Sequence, residues 1–189
     1  MSNSDPYRLP SKPTIIPVWT LKQNPDLLQT PVAQISIIGT ETSEADGVFH
    51  FRMSLVLSDK KVIRLDASPA FTDPSHMSRG YVLLEYDPEL EPAGPAVFTV
   101  KVAHPEVTPL TAAHICKVLF NDNAQDQYDF NDDGNGCRHW CAVSLEKLAE
   151  AGYITSTAGP DLRAYEDQEH AKFGTTRFPM PRIQGGFYA

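Results

Sequence analysis

Residues 47–57 read GVFHFRMSLVL. Side chains along a β-strand alternate between two faces, so this stretch sorts cleanly into two sets. Phe49, Phe51, Met53, Leu55 and Leu57 share one face, and Val48, His50, Arg52, Ser54 and Val56 share the other. The first face suits a core. The second carries a histidine and an arginine.

The neighbouring segments extend the pattern. SDKK makes a short turn, and KVIRLDASP (61–69) returns as the partner strand of a β-hairpin. Upstream, VAQISIIG (32–39) alternates and is β-branched. Downstream, GYVLLEYD (80–87) and AVFTVKVA (96–103) read the same way. About five strands therefore fall between residues 32 and 103, and they predict an antiparallel sheet.

Two helical patterns follow. TPLTAAHICKVLFN predicts a helix over 108–120, with Thr108 or Thr111 as its cap. CRHWCAVSLEKLAEAG predicts a second over 137–151, ending at Gly152. Strands first and helices after them define an α+β class, with the sheet packed against two main helices. Residues 1–31 read as an N-terminal arm with one short helical turn at NPDLL. Residues 32–152 form a single domain. Residues 153–189 are expected to pack on its surface, with a short helix at DLRAYEDQEHAKF.

Bulk properties narrow the function. Sixteen Lys and Arg against 24 Asp and Glu give the 189-residue chain a net charge of −8. Nucleic acid and anionic membrane surfaces both demand basic patches, so neither is the expected partner. No apolar run approaches the ~18 residues of a membrane span. The first residues carry no apolar signal core, and the three cysteines are odd in number, so free thiols in the cytoplasm are expected.

The chemistry concentrates in YDFNDDGNGCRHW, residues 128–140. Gly134 and Gly136 precede Cys137, and a helical pattern starts at it. A helix N-terminus favours the thiolate, the nucleophilic form of cysteine. The Cys137 amide is placed to hold a developing oxyanion. His50, fixed on a strand, is the matching proton carrier, and Asp66 at the end of the hairpin partner is placed to orient it. Arg52 shares the His50 face, where it either binds a substrate carboxylate or pairs with Asp66. Tyr128, Gly136 and Trp140 flank the cysteine and either line a substrate pocket or, for the aromatics, pack in the core.

Other readings compete. Cys137, Cys141, Leu145 and Leu148 repeat at helical spacing, so the thiols also fit a core stripe. Asp122, Asp126, Asp129, Asp132 and Asp133 precede Cys137, and nearby carboxylates raise a thiol pKa; Arg138 and His139 offset them in part. DFNDDG (129–134) matches the opening of a calcium loop, but its twelfth position is Trp140 rather than glutamate. Cys137, His139 and Cys141, with His114 and Cys116, lack the paired spacing of a structural zinc site. No metal or other cofactor is expected. His76, His104 and His170 sit in polar or proline-bearing segments and read as surface residues.

FHFRMSLVL, VIRLDASP and YDFNDDGNGCRHW together resemble an uncharacterised fungal protein family. In it, a histidine–aromatic–arginine strand, an RLD strand and a GCR-aromatic-Trp helix start recur. The resemblance spans about residues 33–152. The order, histidine on a strand and then cysteine on a helix start, is similar to circularly permuted papain-like thiol enzymes. These are the NlpC/P60 relatives, including lecithin–retinol acyltransferase and the PPPDE peptidases. That likeness implies a permuted papain-like fold, with Cys137 as nucleophile and His50 as general base. Phe51 stands where tryptophan is common, and Arg138 stands where a glutamate follows the cysteine.

The expected function is therefore a cysteine-dependent acyl hydrolase or acyltransferase. Its substrate is a small molecule or peptide: a peptide, an amide or an activated acyl group, in the setting of fungal secondary metabolism. Amide-bond formation, as in cyclodipeptide synthesis, is a variant, and a charged tRNA donor would then need a basic face. The alternative is a non-catalytic domain that keeps the fold and binds a small ligand.

Overall fold

The computed structural model describes residues 15–17, 24–42, 47–69, 79–87, 93–103 and 109–188. His76, His104, Thr108 and most of the expected N-terminal arm lie outside these.

The fold is α+β. Strands β1 (Ile15–Pro17), β2 (Val32–Thr40), β3 (His50–Leu57), β4 (Val62–Pro69), β5 (Gly80–Asp87) and β6 (Ala96–Lys101) form one sheet in the order β1-β5-β4-β3-β2-β6. β2 to β6 are the five expected antiparallel strands, with β2 to β5 a meander and β6 returning beside β2. The unexpected sixth, β1, pairs in parallel with β5. It lies inside the expected arm, and three residues are too few to show a period. The NPDLL turn is a short 3-10 helix, Pro25–Gln29.

The alternation in β3 is realised as read. Phe49, Phe51, Met53, Leu55 and Leu57 are all at most 3% exposed. Burying each such side chain contributes about 1.5–3 kcal/mol. The apolar face of β3 and β4 receives the helix α2, Cys137–Glu150. The preceding helix α1, Ala112–Cys116, is shorter than expected, because the chain widens into a π-helical turn over Lys117–Asp122. Thr111 caps α1 by accepting the His114 amide on its side chain. The reciprocal bond comes from the His114 ring, whose Nδ1 accepts the Thr111 amide at 3.1 Å.

The segment after residue 152 is more than a surface extension. Helix α3, Ala158–Arg177, packs on α2 and β6, with a break at Gly174. Leu162, Glu166 and Phe178 are at most 2% exposed. The Arg177 carbonyl accepts the Phe49 amide at 3.2 Å, which ties the end of α3 to the start of β3. Strands β7 (Tyr128–Asp129) and β8 (Gly186–Phe187) then pair, joining the C-terminal residues to the loop before Cys137.

Candidate active site

The site forms where β3 and β4 part. Their ladder runs from Val56↔Val62 to Met53↔Leu65 and stops there. Continued, that register would set Arg52 opposite Asp66, and the side chains of His50, Arg52, Asp66 and Ser68 share one face. His50 Nε2 lies 2.7 Å from Asp66 Oδ1, and Arg52 Nε donates to Asp66 Oδ2 at 2.6 Å. Ser68 Oγ donates to Oδ1 at 2.9 Å. Both carboxylate oxygens are thus occupied, and the imidazole is held from one side.

Because the ladder has ended, the Phe51 amide has no partner on β4. It donates instead to Cys137 Sγ at 3.2 Å. The sulfur therefore enters the notch between the two strands, and the Cys137 side chain lies within interaction range of His50. With Nε2 committed to Asp66, Nδ1 is the ring nitrogen left for the thiol.

The electrostatics follow from this packing. Burial alone would lower the His50 pKa, but the bonds to Asp66 and to Cys137 outweigh it and raise the value to about 9. Burial would raise the Asp66 pKa, but His50, Arg52 and Ser68 together bring it down to about 2. The pair is imidazolium and carboxylate at neutral pH.

Cys137 opens α2. Its N-cap is Gly136, at φ 141°, a conformation that L side chains rarely adopt. A Cβ there would sit 2.7 Å from Tyr128 Oη. Cys137 is 9% exposed and lines a shallow cleft of about 20 Å³ with Phe49, Phe51, Gly136, Arg138 and Pro179. The other two thiols differ. Burial pushes Cys116 up to about 12 and Cys141, wholly buried, well above the usual thiol range.

Two residues expected to contact substrate do not face the cleft. Trp140 is fully buried and donates its indole N–H to the Gln125 carbonyl at 2.6 Å. Tyr128 is 1% exposed; its hydroxyl donates to the Gly136 carbonyl and accepts the Gly185 amide. Both aromatics are supports, because each buried polar tip needs a fixed partner and finds it in backbone. Arg52 pairs with Asp66 rather than standing free.

The acidic run is engaged elsewhere. Asp122 pairs with Lys117 at 2.7 Å, Asp129 faces Arg79 at 3.4 Å, and Asp132 and Asp133 are exposed. The calcium-like stretch is a turn in which Asn131 Oδ1 accepts the Asn135 amide at 2.7 Å. Among the described residues no three acidic, histidine or cysteine side chains converge as metal ligands. His114 serves the α1 cap, and half-buried His170 bonds the Phe178 carbonyl at 2.7 Å.

A buried ionic group went unread in the sequence. Glu166, wholly buried, accepts Arg182 Nε at 2.7 and 2.8 Å, and Arg138 Nε stands 3.4 Å from it. Only the charge of Arg138 beside Cys137 hinted at such a partner.

Residues 35–188 match a domain of unknown function, DUF7770. The chain belongs to the DUF7770 family. The match runs from within β2 to β8 and takes in all three helices, so the DUF7770 unit includes the C-terminal segment that completes the cleft. No curated protein and no solved structure matches the chain.

Proposed function

We propose that this DUF7770 protein is a cysteine-dependent acyl hydrolase or acyltransferase. The observation that carries the reading is the chain of contacts from Asp66 through His50 to Cys137, ending at a sulfur that lines a cleft. Nucleophile, proton carrier and orienting carboxylate stand in the order that covalent acyl transfer needs.

The attacking form of Cys137 is its thiolate, with His50 as the imidazolium. The thiolate attacks the acyl carbonyl carbon; a C–S bond forms and the π electrons move to oxygen. Collapse of that oxyanion breaks the bond to the leaving group, which takes the His50 proton. Neutral His50 then accepts a proton from water, and the resulting hydroxide attacks the thioester. Collapse releases the acid and restores thiolate and imidazolium. An amine in place of water gives an amide. The first amides of α2 supply the charge stabilisation for both oxyanions.

The test is a burst experiment with p-nitrophenyl acetate. One equivalent of p-nitrophenolate per chain should appear rapidly, with one acetyl group added at Cys137. Cys137→Ala should show neither. A wild-type trace without a burst and without acetylation of Cys137 would sink the reading.

A further inference from the structure

The Arg138 guanidinium is held on two of its three nitrogens. Nη2 donates to the Pro179 carbonyl and Nε faces Glu166, but Nη1 is buried without a partner. The side chain is 8% exposed, and its guanidinium stacks 4.0 Å from the Phe178 ring centre. Leaving a charged donor buried and unpaired is costly, so such an atom points to a missing acceptor.

The nearest carboxylate is already engaged: Glu166 accepts Arg182 Nε on both oxygens and meets Arg138 only through Nε at 3.4 Å. Arg138 lines the same cleft as Cys137. The rest of that wall is largely apolar, from Phe49, Phe51 and Pro179.

We propose that the cleft takes an acyl donor bearing a carboxylate close to its reacting carbonyl, and that Arg138 Nη1 binds this carboxylate. The inference rests on the reading of Cys137 as the nucleophile. One spare donor suits a monoanion; a phosphate dianion would ask for more donors.

Two alkylating reagents of nearly the same size test this on the full chain. Iodoacetate carries the carboxylate, and iodoacetamide is its neutral counterpart. Rates at Cys137 are read by peptide mass spectrometry, with glutathione as the free-thiol reference. The iodoacetate-to-iodoacetamide rate ratio should exceed that of glutathione by about tenfold or more, the effect of one hydrogen bond to a charged group. In Arg138→Met the ratio should fall to the glutathione value. Succinate should protect wild-type Cys137 and succinamide should not, a comparison that holds even if Arg138→Met fails to fold. A wild-type ratio equal to that of glutathione overturns the proposal, as does a raised ratio that survives in folded Arg138→Met. Fast iodoacetamide with an unraised ratio sinks the carboxylate site alone. Slow reaction with both reagents sinks the nucleophile as well.

Discussion

Asp66 is where the polar faces of β3 and β4 converge. It holds His50 and Arg52 at 2.7 and 2.6 Å, and both contacts follow from strand alternation and register. This part of the site was legible in the sequence, because a period of two fixes which residues share a face. Ser68 went unread, although the same period of two puts it on the Asp66 face. Trp140 and Tyr128 were not, since residue type alone does not say which way an aromatic ring faces. Replacing Asp66 by Asn should let the His50 pKa fall from about 9 toward the ordinary value of about 6.5, as followed by NMR titration of the ring. Stability should depend on pH through both groups. The His50 contribution is complete below about 6.5 and is lost as pH rises toward 9. The Asp66 contribution is complete above 3.8 and is lost as pH falls toward 2. Urea unfolding across these two windows measures both.

Among the elements, α2 decides whether the sulfur reaches the notch. Its first residue depends on Gly136 at φ 141° and on the Tyr128 hydroxyl that bridges Gly136 and Gly185. Gly136→Ala should therefore cost about 1–3 kcal/mol, seen as a lower urea midpoint, and should slow alkylation of Cys137. An unchanged midpoint would mean that the left-handed turn carries no constraint. The five antiparallel strands were readable because each is long enough to show its period. The three residues of β1 were not. Of the two caps open for the helix expected over 108–120, Thr111 is the one used, and nothing in the composition announced the π-helical turn that follows.

Across the whole molecule, the C-terminal segment closes the cleft from outside the expected domain. Pro179 lines it, Phe178 lies under Arg138, and Phe187 pairs beside Tyr128. These contacts join residues far apart in sequence, so no local pattern could reveal them. Only Ala158, Leu162 and Glu166 are buried along α3, too sparse a stripe to mark a core helix. Phe178→Ala should cost about 3–5 kcal/mol by calorimetry, with one cooperative transition rather than separate melting of the tail. Two transitions would show the segment to be an independent layer.

The central claim is that His50 keeps Cys137 reactive. It is tested most directly by the rate of iodoacetamide alkylation at each cysteine, from mildly acidic to neutral pH, in wild type and in His50→Gln. Cys137 should react selectively, ahead of Cys116 and Cys141, and His50→Gln should slow it by about a hundredfold. Three thiols that react alike only on unfolding, or a Cys137 rate indifferent to His50, would contradict it.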